Sequence, residues 1–201
     1  MNLTEMEEYA RLNNVPIMEP DGIEFLTNFI DENKNIDTIL EIGTAIGYSA
    51  IKMCQMKKTI KVVSIERDEI RYKEAVKNIK ANNLTDRITL ILKDALDANI
   101  EGKFDLIFID AAKSQSIKFF EKYKENLNDD GFILTDNINF HGLTFSDKPA
   151  PTRNLRQMIR KIKDYLIFLE NNTEYNTEYF NIGDGLTVSK KINNFFEKEW
   201  I

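Results

Sequence analysis

Five short apolar runs alternate with longer charged segments through the middle of the chain. The runs are Thr38–Ile42, Lys61–Ile65, Ile88–Leu92, Phe104–Ile109 and Gly131–Thr135. The intervening segments, such as Asp68–Asn82 and Ser114–Asn126, carry apolar residues at helical spacing. Strands that alternate with helices predict a parallel sheet covered on both faces, and near-continuous apolar strands agree because both of their faces are then buried. We therefore expect a doubly wound α/β fold of the Rossmann-like type, with five parallel strands.

The two ends of the chain depart from this alternation. Residues 1–35 predict a helical segment, in which the helix after Pro20 places Ile23, Leu26, Phe29 and Ile30 on one face. Near the other end, Arg153–Asp164 predicts an amphipathic helix. Two strands, Tyr165–Leu169 and Leu186–Ser189, are expected to follow as an antiparallel pair because no helix separates them. The expected organisation is one domain over 1–201, with its core over 36–201.

The composition limits the compartment and the partners. Cys54 is the only cysteine, which excludes an internal disulfide and favours a reducing environment. The first residues do not resemble a secretory signal, and the apolar runs are too short to span a bilayer. We therefore expect a cytoplasmic protein with no membrane partner. A net charge of −6 argues against a protein that coats nucleic acid, although it leaves room for a local basic patch.

The first apolar run leads into Glu41-Ile-Gly-Thr-Ala-Ile-Gly-Tyr-Ser49. A strand, a glycine turn and a helix start are typical of an adenosine-binding site, and Glu66 at the end of the second run is placed to accept both ribose hydroxyls. A dinucleotide would need GxGxxG, but Ala45 and Tyr48 occupy the second and third glycine positions. The cationic end of S-adenosylmethionine (SAM) suits the carboxylate of Glu41, and Asp94-Ala95 could contact the adenine edge. The sequence favours SAM; the alternative is that the glycines only make a turn.

Four polar residues follow the fourth and fifth runs: Asp110, Lys113, Asp136 and Asn137. The carboxyl ends of neighbouring parallel strands meet at the ligand-binding edge of such a sheet. Two carboxylates and an amide oxygen suit Mg²⁺, with Mn²⁺ and Ca²⁺ as alternatives. A cation bound to a hydroxyl group lowers the pKa of that group, and Lys113 is then the candidate base. The competing interpretation is a strand cap, a turn and a solvated lysine.

Together these motifs resemble the metal-dependent O-methyltransferases of the catechol and caffeoyl-CoA type. The resemblance runs from about Ala10 to Lys191 and includes Phe108-Ile-Asp-Ala-Ala-Lys113, Thr135-Asp-Asn137 and Ile182-Gly-Asp-Gly-Leu186. It implies a SAM-dependent O-methyltransferase, commonly a homodimer, with Asp110, Asp136 and Asn137 as metal ligands and Lys113 and Asp110 as catalytic residues. The implied SAM contacts are Met18, Glu41, Gly43, Thr44, Ser49, Glu66, Arg67, Asp94, Ala95 and Asp110.

Within that family the sequence is most similar to the bacterial tRNA 5-hydroxyuridine methyltransferases, in Val15–Pro20, Thr44–Ile46 and Arg153–Arg156. That subgroup produces 5-methoxyuridine at the wobble position, so the resemblance implies a tRNA substrate. A basic helix face is the candidate tRNA contact, although a solvated face is the plainer interpretation. Its residues are Arg153, Arg156, Arg160 and Lys163. His141 is a candidate substrate contact, against which stands a structural or exposed role.

Three alternatives remain open on the sequence. The first is O-methylation of a small catechol-like phenol, although the loop Asn139–Thr152 lacks the tryptophan-containing segment associated with small-molecule enzymes. The second is a SAM-binding protein without catalysis, against which the complete set of candidate metal and base residues argues. The third is an oxidoreductase, which the missing GxGxxG disfavours.

Overall fold

The computed structural model describes residues 1–146 and 150–192, so residues 147–149 of the loop after Asn139 and residues 193–201 of the expected core lie outside the described residues. The helices are α1 (Leu3–Asn13), α2 (Pro20–Glu32), α3 (Tyr48–Met56), α4 (Glu69–Ala81), α5 (Ser116–Tyr123) and α6 (Arg153–Glu170). The strands are β1 (Thr38–Ile42), β2 (Lys61–Glu66), β3 (Ile88–Leu92), β4 (Phe104–Ile109), β5 (Leu127–Asp136), β6 (Tyr175–Phe180) and β7 (Leu186–Lys191). Within the described ranges, no helix combines the length and the apolar character needed to cross a membrane.

Short polar side chains set where several helices begin. Asn2 and Glu5 cap α1 reciprocally, since each side chain accepts the backbone N–H of the other residue. Asp68 accepts the N–H groups of the first turn of α4 at 2.9 Å, and Thr152 accepts from Leu155 at the start of α6. These caps give backbone N–H groups in the first turns of α1, α4 and α6 a hydrogen-bond acceptor.

The seven strands form one sheet in the order β3-β2-β1-β4-β5-β7-β6. Strands β1 to β5 are parallel, whereas β7 runs antiparallel to both β5 and β6. The direction of winding reverses between β1 and β4, which are neighbours, with Glu41 opposite Phe108. This reversal leaves a crevice beyond the carboxyl ends of the two strands. The predicted doubly wound α/β fold is confirmed.

Alternate strand residues bury opposite faces of the sheet. Ile39, Leu106 and Phe108 pack with side chains of α1, α2 and α3, whereas Leu40, Ile107 and Ile109 pack with α5 and α6. Helices therefore cover both faces, as near-continuous apolar strands predict.

The last third of the chain corrects one expectation. Tyr165–Leu169 is not a strand, because α6 continues through it to Glu170. Ile162, Tyr165 and Leu169 are buried at helical spacing, and Tyr165 Oη shares a 2.7 Å hydrogen bond with Thr135 Oγ1 of β5. The strand that pairs with β7 is instead Tyr175–Phe180. The expected antiparallel ending is present, but a different segment supplies it.

Candidate active site

A cavity of about 980 Å³ opens at the crevice between β1 and β4. Its wall includes most of the residues that the sequence singles out: Met18, Gly43, Glu66, Arg67, Asp94, Ala95, Asp110, Lys113, Asn137 and His141. Glu41, Thr44, Ser49 and Asp136 are buried behind it and do not line it. The strand tips thus bring most of the predicted nucleotide-binding and metal-binding residues to the wall of one cavity, and the remaining four lie buried behind it.

Asp110, Asp136 and Asn137 converge at the tips of β4 and β5. The amide nitrogen of Asn137 lies 2.7 Å from Oδ2 of Asp136 and 3.3 Å from Oδ1 of Asp110. Rotation of the same amide group by about 180° would place its Oδ1 where Nδ2 now lies. Two carboxylate oxygens and one amide oxygen could then face a single position between them. Such a donor set fits a hard divalent cation. The described residues contain no group of three or more His, Cys, Asp or Glu side chains placed to hold a metal, and this set consists of two carboxylates and one amide.

The electrostatics at Asp136 favour a cation. Burial raises the pKa of the Asp136 carboxyl, and the nearby carboxylate of Asp110 raises it further. Asp136 is only 3% exposed, so water does little to relieve that repulsion. A positive charge between the two carboxylates would stabilise both of them in the ionised form.

Lys113 stands at the edge of this cluster, in the short turn that follows β4. Its Nζ donates to Oδ1 of Asp110 at 2.9 Å, and the two side chains are 16% and 20% exposed. Helix α6 packs beside the turn that carries Lys113. The predicted base therefore lies on the cavity wall, in contact with a predicted metal ligand.

The other end of the cavity is organised around Glu66. Its Oε1 accepts the backbone N–H groups of Arg67 and Asp68, and its Oε2 accepts that of Ala45, each at 2.8 Å. Ala45 has a φ of 47°, the left-handed region that glycine usually occupies. Ala45, one of the two residues that break the GxGxxG pattern, thus supplies one of the three backbone N–H groups that hold Glu66 in place.

Gly43 joins the two ends of the cavity. Its φ is 103°, and a Cβ atom built on it would lie 2.0 Å from the backbone oxygen of Asp110. The N–H of Asp110 donates to the carbonyl of Ile42 at 2.9 Å. The glycine turn and the end of β4 are therefore in direct backbone contact.

Glu41 lies beneath the glycine turn, away from the cavity wall. It is fully buried, and its two carboxylate oxygens accept the hydroxyl groups of Ser49 and Ser64. Burial raises the pKa of Glu41 to about 7, against the opposing effect of these two donors. Thr44 shares a hydrogen bond with Ser64 in the same layer. These side chains support the turn from below, and their predicted contact with SAM stays a prediction.

Arg67 and Asp94 face each other on the cavity wall. Nη1 of Arg67 lies 3.5 Å from Oδ2 of Asp94, and the two side chains are 60% and 35% exposed. The other oxygen of Asp94 accepts the N–H of Leu96. This exposed ion pair borders the cavity next to Ala95.

The N-terminal segment forms part of the cavity wall, which its sequence pattern did not indicate. Met18 was the one site residue predicted in this segment, yet residues 14–20 and the end of α1 line the cavity. Tyr48 Oη donates to Oε1 of Glu7 at 2.6 Å, which ties α1 to the start of α3. A pairing across 41 residues leaves no local signal in the sequence.

The four basic residues of the α6 face, Arg153, Arg156, Arg160 and Lys163, are all exposed. Arg156 donates to the backbone oxygen of Ala150 at 2.8 Å and so links α6 to the loop before it. Together with the exposed side chains of Arg153, Arg160 and Lys163, Arg156 forms a basic face on α6.

Comparison with known proteins places this geometry in context. The family model described as "O-methyltransferase" matches residues 2–192. A caffeoyl-CoA O-methyltransferase of Populus kitakamiensis is 24% identical over 92% of this chain and 82% of its own length. A Staphylococcus aureus structure, provisionally assigned as a caffeoyl-CoA O-methyltransferase, is 37% identical, with a TM-score of 0.90 over 96% of this chain and 93% of that one. A Bacillus cereus O-methyltransferase in complex with SAH is 24% identical, with a TM-score of 0.81 over 94% and 90% of the two chains, and shares the fold.

Proposed function

The chain belongs to the O-methyltransferase family, and we propose that it transfers the methyl group of SAM to a hydroxyl group held beside a divalent cation. The observation that carries the proposal is that Asp110 and Asn137 lie on the wall of the cavity that Glu66 also borders, with the Asp136 carboxylate buried directly behind them in contact with Asn137. A methyl donor and a chelated hydroxyl group need such a shared space for in-line transfer.

The residues that would hold SAM lie around the glycine turn. Glu66 is oriented by three backbone N–H groups and is the candidate acceptor for the ribose hydroxyls. Gly43 allows close approach of the ligand, and Ala95 and Met18 line the same cavity. The Bacillus cereus relative in complex with SAH supports this cofactor. SAM supplies an electrophilic methyl group on a sulfonium centre.

The residues that would hold Mg²⁺, or Mn²⁺ or Ca²⁺ in its place, are Asp110, Asp136 and Asn137. Such a cation, when bound, makes a coordinated hydroxyl group more acidic. The unprotonated form of Lys113 takes up the hydroxyl proton at Nζ, and Asp110 stabilises the charge that results at 2.9 Å. Phe119 and Phe140 border the same cavity and limit the access of water to it.

The proposed substrate is 5-hydroxyuridine at the wobble position of tRNA. Its 5-hydroxyl group and 4-carbonyl oxygen are adjacent and can chelate a cation as a catechol does. Two features of this chain support a large, anionic substrate: an exposed basic face on α6, and the packing of α6 beside the Lys113 turn. The second candidate is a small phenol, which the names of relatives such as the Vitis vinifera flavonoid 3',5'-methyltransferase favour.

The test is a direct competition of substrates. The purified protein is incubated with SAM and one of two substrates: tRNA that carries 5-hydroxyuridine, or free catechol. The products are measured by mass spectrometry. Methoxyuridine in the tRNA, lost with a chelator and restored by Mg²⁺, is the expected result. Methylation of catechol without methylation of tRNA would replace this substrate by the second candidate, and turnover in the chelator would remove the metal.

A further inference from the structure

The loop after Asn137 is fastened to the turn between β6 and β7. The N–H of Asn139 donates to the carbonyl oxygen of Asp184 at 2.8 Å, and the N–H of Ile138 donates to that of Gly185 at 3.1 Å. The side chain of Asp184 adds a third contact, because its Oδ1 accepts the backbone N–H of His141. Asp184 therefore directs the loop that brings His141 to the cavity wall.

The second carboxylate oxygen of Asp184, Oδ2, takes no part in these contacts. Asp184 is 5% exposed, and its Oδ2 is buried without a hydrogen-bond partner among residues 1–146 and 150–192. An unpaired buried carboxylate oxygen is costly, so a donor within reach is favoured strongly. Nδ1 of His141 lies 3.9 Å from this oxygen.

The imidazole ring of His141 can close that distance. Its side chain is 68% exposed, so the ring is free to rotate. A movement of about 1 Å brings Nδ1 within hydrogen-bond range of Oδ2. Oε1 of Glu19 is also 4.0 Å from Nδ1, but the Glu19 side chain is 51% exposed and hydrated. The buried carboxylate gains more from the pairing than the hydrated one.

We propose that Asp184 and His141 form a carboxylate–imidazole pair that presents Nε2 of His141 to the substrate as a hydrogen-bond acceptor. A carboxylate that accepts from Nδ1–H fixes the neutral imidazole in one tautomer. Nε2, on the opposite side of the ring, then carries the lone pair. His141 is a specificity residue, and Asp184 is the positioning residue that sets its polarity.

An acceptor at this point selects substrates that carry a donor beside the chelating oxygens. In 5-hydroxyuracil the N3–H group is bonded to the carbon that carries the 4-oxygen, whereas a catechol ring has only C–H at the matching position. A site built to accept such a donor discriminates against analogues that lack it. This inference rests on the proposed tRNA substrate and names the group that would separate it from a phenol.

The tautomer can be read directly, because His141 is the only histidine in the sequence. The ring ¹⁵N signals of the tag-free protein, recorded at a pH where imidazole is neutral, should show the Nδ1–H form. Asp184→Asn keeps an oxygen for the N–H of His141 but offers an NH₂ group to Nδ1, so the ring should change to the Nε2–H form. Glu19→Gln, which alters the other nearby carboxylate, should keep the wild-type tautomer. An Nε2–H ring in the wild type, or no change in Asp184→Asn, overturns the pair.

The role in specificity is measured with a 5-hydroxyuridine stem–loop RNA and its N3-methyl analogue. The wild type should show a KM about tenfold higher for the analogue, with a similar kcat. His141→Ala should lose this discrimination, and His141→Gln, whose side-chain oxygen can accept in place of Nε2, should recover part of it. Equal discrimination by the wild type and His141→Ala overturns the inference. If neither RNA is methylated by the wild type, the proposed function fails, and the tautomer still decides whether the pair forms.

Discussion

Nζ of Lys113 and Oδ1 of Asp110 lie 2.9 Å apart, so the candidate base and a candidate metal ligand form one ion pair at the cavity wall. Each side chain therefore changes the environment of the other. Variants of the two residues should show non-additive effects on catalysis, since removal of either one leaves a largely buried partner unpaired.

Lys113→Met should lower kcat by on the order of a hundredfold or more, because the hydroxyl proton loses its acceptor. The Kd for SAM, measured by calorimetry, should change little, since Lys113 lies at the metal end of the cavity. Lys118→Met, at an exposed position of the following helix, is the matched control and should keep the wild-type kcat. A Lys113→Met enzyme with normal kcat would remove the base assignment.

Asp136→Asn should weaken Mg²⁺ binding by on the order of a hundredfold or more, because one of two facing carboxylates is lost. Isothermal titration with Mg²⁺ measures this directly. Asp105→Asn provides a control at the opposite end of β4, where the Asp105 carboxylate accepts from the backbone of Asp37 and Thr38. That variant should lose stability but bind Mg²⁺ normally, and equal loss of binding in both variants would contradict the metal site.

Glu41→Gln should change how stability depends on pH in the absence of SAM. Burial raises the pKa of Glu41 from 4.5 to about 7, so the wild type is destabilised as pH rises through this range, because the unfolded chain ionises before the folded one. The shift corresponds to roughly 3 kcal/mol. Glutamine does not ionise. In urea unfolding, the free energy of unfolding of the variant should therefore rise relative to that of the wild type between pH 4.5 and 7. Parallel curves for the two proteins would show that Glu41 ionises normally.

Arg160→Glu combined with Lys163→Glu should lower kcat/KM for tRNA and reduce the slope of its salt dependence by about two. The matched control reverses Lys73 and Lys77 on α4, which packs through Ile79 into the core on the opposite face of the sheet. SAM affinity should be unchanged in both double variants. If the two pairs have the same effect on tRNA methylation, the α6 face is only solvated.

The candidate site was predictable because of a geometric rule. Parallel strands end at one edge, so Asp110 and Asp136 were expected to meet although 26 residues separate them, and the fold places them together. The burial of Glu41 beneath the glycine turn was not predictable, because a strand-end carboxylate has the same sequence pattern whether it faces the cavity or the layer beneath. The role of Asp184 was hidden for a different reason, since its contact with His141 spans 43 residues.

The error at Tyr165–Leu169 also has a physical cause. Five consecutive apolar or aromatic residues satisfy the pattern of a buried strand and that of a buried helix segment equally. The burial of Tyr165 and Leu169 on the stripe begun by Ile159 and Ile162 resolves the ambiguity. The true edge strand, Tyr175–Phe180, is half polar because one of its faces is exposed, so it lacked the apolar signal.

The backbone contact between Gly43 and Asp110 fixes the distance between the glycine turn and the tip of β4. With no side chain between the two turns, the separation between the Gly43 turn and the tip of β4 is set by the peptide backbone, which rotamer changes cannot adjust. A single added methyl group at residue 43 would wedge the donor site away from the acceptor site. Catalytic spacing in this enzyme is thus inherited from the main chain itself.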